Sequence, residues 1–310
     1  MPDAANSKDW KLNDSDWNLL LRRIKDGKCT PFLGAGACYP ILPLGSDIAK
    51  EWAKSNKYPL KDSWDLVRVA QFLAVMIDPM FPKEEIIKLL KSNNELPDFN
   101  APDEIHGILA DLKLPIYVTT NYDDFMVQAL ISRNVEVRRE FCRWNSYIKK
   151  HHRQSIFSQK PAGFEPTPEN PVVFHLHGLD EVPESIVITR DDYLDFLVNI
   201  NRDSDQDDPM IPPRIQQAFA GSSLLFLGYG IEDWNFRVIF RHIASYLEKS
   251  IARTHVSVQL APCEEGEQKE KAIEYLNRYF GKLDIRVYWG TCSEFTRDLK
   301  AKWEEFNREK

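Results

Sequence analysis

The sequence predicts an α/β fold: a doubly wound, Rossmann-like parallel sheet with inserted helical segments. Three observations carry the prediction. Short apolar runs alternate with segments of helical apolar spacing nearly from end to end. Several of those runs end in a glycine-bearing or polar turn that opens towards the next helix. No Gly/Ser-rich linker, internal repeat or low-complexity stretch divides the 310 residues. The chain therefore reads as one domain, 1–310, with a helical insertion at about 50–100 and a second, irregular insertion at about 138–170.

After a loose, polar start, Trp17, Leu20, Leu21 and Ile24 make the apolar face of a first helix, with Ser15 or Asp14 as its cap and Gly27 as its end. Pro31 to Leu33 is a short strand, followed by Gly34-Ala35-Gly36. Pro40 and Pro43 keep residues 39–45 out of regular helix, so this is a loop, and a second helix runs from about Asp47 to Ser55. Between 60 and 97 two apolar patterns, one around Trp64 to Met76 and one around Ile86 to Leu90, mark packing helices. Then come a helix over Asp103 to Leu112, a strand over Leu114 to Thr119, the turn Thr120-Asn121-Tyr122-Asp123 and a helix to Ser132. Residues 133–153 are basic with Phe141, Trp144 and Tyr147 interleaved, whereas 191–208 are acidic; both read as solvated faces. Pro171 to Leu176 is a strand ending in His175-Leu176-His177-Gly178, and Ser185 to Thr189 is a candidate for another. Ser222 to Leu227 is an apolar strand that follows a helix and opens into Gly228-Tyr229-Gly230, with a helix from Trp234 to Leu247 beyond. His255 to Leu260, Gln268 to Phe280, Asp284 to Trp289 and Ser293 to Phe306 continue as strand, helix, strand, helix.

Composition narrows the function. With 43% hydrophobic and 28% charged residues and no apolar run near the roughly 20 residues that span a bilayer, the expectation is a soluble, cytoplasmic protein without a membrane partner. Met1 to Asp9 lacks the basic-then-apolar pattern of a secretory signal. Five scattered cysteines without a Cys-x-x-Cys pair argue against a disulfide framework and a structural zinc. A formal charge of −7 makes direct nucleic-acid binding an unexpected role.

In open α/β sheets ligands sit beyond the carboxyl ends of the strands, so the turns after strands hold the candidate residues. Gly34-Ala35-Gly36 brings backbone close to a ligand and, before a helix, would aim N–H groups at a phosphate. Gly228 and Tyr229 form a second such approach. Asn121 or Asp123 alone would be an ordinary helix cap, and His175, alternating with His177, is expected to face the other way into the core.

Taken together, Gly34-Ala35-Gly36, Asn121-Tyr122-Asp123 and His177-Gly178, in that order, resemble the sirtuin (silent information regulator two) family. The departures are informative: the family's four-cysteine zinc module is missing after His177-Gly178, and Cys38 stands where serine is usual. Thr119-Thr120-Asn121-Tyr122-Asp123, Ile188-Thr189-Arg190-Asp191-Asp192-Tyr193 and Gly228-Tyr229-Gly230-x-x-Asp233 look like the bacterial sirtuin-like proteins of antiphage defence. That resemblance implies an NAD hydrolase, releasing nicotinamide and ADP-ribose from NAD as substrate, with no metal. It also implies a homo-oligomer and a two-protein arrangement, for example with a HerA-type ATPase or another defence partner.

On this reading the N–H groups of Gly34, Ala35 and Gly36 hold the pyrophosphate, Gly228, Tyr229 and Asp233 bound the adenosine half, and Asp123 orients the carboxamide. Asn121, a neutral amide, holds ribose hydroxyls or a water under the anomeric carbon. His177, with an ordinary pKa of about 6.5, serves as general base. Because unrestrained hydrolysis would deplete the cell's own NAD, a pocket shielded by the 39–45 loop or by neighbouring subunits is expected. The rival readings are an NAD-dependent protein deacylase, a non-catalytic NAD- or ADP-ribose-binding subunit, and a dinucleotide oxidoreductase. The last is disfavoured because Tyr39 occupies the third glycine position of Gly-x-Gly-x-x-Gly.

Overall fold

The computed structural model describes residues 11–93, 95–158, 163–202, 209–230, 254–261 and 267–308. Seven parallel strands form one sheet in the order β3-β4-β2-β1-β5-β6-β7. They are β1 (Cys29–Leu33), β2 (Ile116–Thr119), β3 (Arg138–Phe141), β4 (Val172–His175), β5 (Ser223–Leu227), β6 (His255–Gln259) and β7 (Ile285–Trp289). The five central strands are buried throughout, as expected of a sheet covered on both faces. On one face Phe32, Val118, Phe174 and Phe226 pack against α8 (Arg190–Arg202), α9 (Pro213–Gly221) and α10 (Glu267–Gly281). On the other, Leu33, Tyr117, Val173 and Leu227 meet α1 (Asp14–Lys25), α5 (Ile105–Asp111), α6 (Phe125–Ser132) and α11 (Cys292–Arg308).

The chain leaves β1 for β2, β4 and β3 on one side and later crosses to β5, β6 and β7 on the other, so the switch in winding direction lies between β1 and β5. Leu33 pairs with both Thr119 and Leu227, and Thr119 with His175, which puts the carboxyl ends of β4, β2, β1 and β5 level with one another. The inserted helices α2 (Gly45–Ser55), α3 (Leu66–Met76) and α4 (Phe81–Ser92) have their own core, built on Trp52, Val69, Leu73 and Ile86, which also buries Ile186 and Ile188. No described helix is long and apolar enough to cross a membrane.

Three local readings change. The cap of α1 is Asn13, whose Oδ1 accepts from the Asp16 N–H. The edge strand β3 lies within the stretch read as irregular, and the short α7 (Ser146–His151) comes after it. Residues 186–189 are buried but join no ladder: Val187 donates to His177 O, and Ile188 and Thr189 donate to the Asp192 carboxylate. The helix expected from Trp234 to Leu247 lies outside the described residues.

Candidate functional site

The two glycine turns at the switch point are packed against each other. Gly34 N donates to Leu227 O and Gly36 N to Gly228 O, both at 2.9 Å. A Cβ on Gly34 would meet the Tyr229 ring at 2.8 Å, and one on Gly228, whose φ is +78°, would lie 2.3 Å from Ala37 N. Glycine is required here by backbone meeting backbone. Two of the three amides expected to face a pyrophosphate are thereby engaged within the protein, which leaves the Ala35 N–H without a backbone partner among the described residues. A single 3-10 turn, Ala35–Ala37, takes the place of the expected helix, and α2 begins only at Gly45.

Tyr229 is likewise committed inward. Its hydroxyl donates to Leu33 O at 2.7 Å and lies 2.9 Å from Thr120 Oγ1, while its ring packs on Phe32 and Phe226. The residue expected to offer a ring or hydroxyl to a ligand instead braces β1, β2 and β5. Asp233 lies outside the described residues.

Asn121 sits just past β2. Its backbone N–H is held by Thr119 Oγ1, and its Nδ2 lies 3.1 Å from both Gly34 O and Cys38 Sγ. Because Gly34 O can only accept, the amide orientation is fixed by its neighbours, and both Nδ2 hydrogens are used. Oδ1 has no partner among the described residues and is not buried, so Asn121 presents an acceptor to the space beyond the sheet. Asp123 closes the local network: its Oδ2 accepts from the Cys38 thiol at 3.2 Å and its Oδ1 from the Phe125 N–H at the start of α6.

His175 lies in the core as expected, and His177 is buried as well. His175 is fully buried, and its Nδ1 lies 3.2 Å from Asn121 O, so it supports the Asn121 turn from beneath. His177 is edge-on to Tyr193 and Phe196 at 5.2 Å, and its buried Nε2 has no partner among the described residues. Burial pushes its pKa down from 6.5 to about 3, so the ring is neutral at any physiological pH and is a far weaker base than an ordinary imidazole. Burial also lowers His175. The turns carrying Asn121 and His177 end adjacent strands, yet no hydrogen bond or ring contact joins the two side chains. Around this edge the loop after the 3-10 turn buries Leu42 against Cys38 and Phe125, and Asn93 Nδ2 holds Ile41 O at 3.1 Å.

Sequence reasoning passed over three contributors: Cys38, read only as a departure from serine; His175, read as core; and Thr120, which ties Tyr229 to β2. Only Cys38 carried a signal in the sequence, its position four residues after Gly34. Among the described residues no cluster of three His, Cys, Asp or Glu side chains is placed to hold a metal.

A family model described as a SIR2-like domain matches residues 115–282, just over half of the chain, taking in Asn121, His177 and Gly228 but not Gly34 to Gly36. The chain is 22% identical over 232 residues to the "NAD(+) hydrolase ThsA" of Acinetobacter baumannii (strain 532279). The aligned part is 74% of this chain and 42% of that protein, so the chain spans less than half of the relative's length.

Proposed function

The chain belongs to the SIR2-like family, and on that premise we propose that it hydrolyses NAD at the nicotinamide–ribose bond, giving nicotinamide and ADP-ribose. One observation carries the reading: at the carboxyl ends of β2 and β1, Asn121 has both amide hydrogens bound internally and its Oδ1 open. Ribose hydroxyls and water are donors, so an acceptor fixed in place suits either of them. The relative named as an NAD(+) hydrolase supports the substrate class.

Nicotinamide leaves from NAD as a neutral ring, because the electron pair of the breaking C1′–N bond quenches the charge on its nitrogen. No general acid is needed. The ribosyl carbon becomes oxocarbenium-like, and the task left to the protein is to position a water and keep bulk solvent out. A water donating one hydrogen to Asn121 Oδ1 keeps a lone pair free to attack C1′. In its tautomer protonated at Nδ1, neutral His177 would accept at its buried, unpartnered Nε2 from a ribose hydroxyl or from the attacking water once the ligand reaches that atom. A pKa of about 3 does not bar it from taking the proton, since an oxygen newly bonded to the cationic carbon is a much stronger acid than that imidazolium. Asp123, within the same network, orients the carboxamide.

In the cell such an activity acts by NAD depletion in antiphage defence, restrained until a signal arrives. The loop anchored by Leu42 and Asn93 supports a shield over the pocket, and a homo-oligomer or an ATPase partner would supply the trigger. The test is nicotinamide release from NAD by the purified chain, alone and with candidate partners. Mass spectrometry separates free ADP-ribose from the O-acyl-ADP-ribose of a deacylase. Asn121→Ala is expected to lower turnover by about 100-fold or more. If Asn121→Ala and His177→Ala both keep wild-type turnover, the reading fails.

A further inference from the structure

We propose that Cys38 is a positioning residue for this reaction, its thiol acting as the one bridge that locks the Asn121 amide and the Asp123 carboxylate into a single unit. The inference rests on the hydrolase reading for its kinetic consequence, but its structural content stands apart from it.

Sγ lies 3.1 Å from Asn121 Nδ2 and 3.2 Å from Asp123 Oδ2. A neutral thiol has one hydrogen and lone pairs to spare, so these two contacts assign its roles without choice: it donates to the carboxylate and accepts from the amide. A thiolate would face Asp123 as a second anion. Burial, with Asp123 alongside, holds the thiol well above its ordinary pKa, so it stays protonated and inert. The bridge spans elements distant in sequence. Cys38 comes after the β1 turn, whereas Asn121 and Asp123 come after β2, and Gly34 O anchors the second Nδ2 hydrogen from the same β1 turn. With the bridge in place the amide plane cannot rotate, and Oδ1 is held at one angle. Without it, one Nδ2 hydrogen is released and the carboxylate loses its only side-chain donor among the described residues. Cys38 is buried in one cluster with Leu42 and Phe125, so its surroundings are apolar and water is a poor replacement for the lost partner.

The test uses the full chain labelled with 15N-asparagine, in wild-type, Cys38→Ala and Cys38→Ser forms, with Asn121→Ala to assign the Asn121 side-chain resonances. Expected in the wild type are two separated, slowly exchanging Nδ2 hydrogens. One of the pair should lose its protection in Cys38→Ala and recover it in Cys38→Ser, where a hydroxyl can donate and accept as the thiol does. In NAD turnover Cys38→Ala is expected to lose about tenfold in kcat, the equivalent of one hydrogen bond, with KM little changed, and Cys38→Ser to regain most of the loss. An unaltered Asn121 resonance pair in folded Cys38→Ala overturns the proposal, as does a wild-type kcat in that variant. If the wild-type chain releases no nicotinamide under any condition, the hydrolase reading fails, and the resonance pair still decides whether the thiol holds the amide.

Discussion

Acid should destabilise this protein through His177 well before its carboxylates titrate. Above about pH 6.5 the ring is neutral in folded and unfolded chains alike, and stability does not depend on it. Below that value the unfolded chain takes up a proton that the buried ring refuses, its pKa having fallen from 6.5 to about 3. Stability is thus full above about 6.5 and is lost as pH falls towards about 3, at about 1.4 kcal/mol per pH unit. At about pH 5 the deficit is about 2 kcal/mol, worth roughly 3 °C in melting temperature for a chain of this size. Buried His175, also lowered, pulls in the same direction. The assay is thermal unfolding of wild type and His177→Leu between about pH 7.5 and 5. Leucine cannot titrate and fits an apolar site edged by Tyr193 and Phe196, so the variant should lose less than wild type over that window. Equal losses in the two proteins, or none in the wild type, would refute the argument that His177 is held neutral by burial.

Further substitutions test the architecture. Gly228→Ala should cost about 3 kcal/mol or more in urea unfolding, since the methyl would meet Ala37 N at 2.3 Å and Gly34 O at 2.6 Å at a φ of +78°. Gly27→Ala, at φ +64° with nothing within 4 Å, should cost only about 1 kcal/mol, the backbone penalty without the clash. Lys83→Met should cost about 3–5 kcal/mol by leaving Asp192 half-buried without its partner at 2.7 Å, and Asp192→Asn in the same chain should recover part of it. A double variant no more stable than Lys83→Met would count against a specific ion pair.

Much of the sheet was legible because a parallel strand buried on both faces is mostly apolar, as β1, β2, β4 and β5 are, whereas β6 buries His255, Ser257 and Gln259 alongside its two valines. The misreadings have physical causes. β3 is Arg138-Arg139-Glu140-Phe141, a charged edge strand bonded on one side only to β4, where Arg139 reaches Asp124 and Glu181. Residues 186–188 have strand-like composition because they are buried, but Asp192 takes the two N–H groups that a ladder would have used. The glycines were found and their reason misjudged. Spacing marks a place where side chains must be absent, and it cannot say whether the closer body is a phosphate or the Gly228 backbone. His177 illustrates the same limit in charge: its ordinary pKa suits a base, and only burial beside Tyr193 and Phe196 reveals a ring that resists taking up a second proton.

The polar groups that the turns leave unpartnered among the described residues say more about the reactant than the motif does. Gly36 N, both Nδ2 hydrogens of Asn121, the Tyr229 hydroxyl and the Tyr122 hydroxyl, which donates to Val187 O at 2.7 Å, all point into the protein. Val187 in turn donates to His177 O, so the segment clamped by Lys83 and Asp192 braces both site turns at once. Donors are consumed by the scaffold, and the side-chain groups left over at these turns, Asn121 Oδ1 and the ring Nε2 atoms of His175 and His177, are neutral. A site so arranged is poor at gripping an anion and well matched to a hydroxyl-rich sugar whose carbon turns cationic. Fixed neutral acceptors stabilise that charge without forming a lasting ion pair, and they need not reorganise as it develops. The phosphates of a dinucleotide, which need donors, must draw on the Ala35 N–H and on groups beyond these four turns. On the proposed hydrolase reading, the ribose end is where binding and chemistry are coupled most tightly, and substitutions there should fall on turnover more than on affinity.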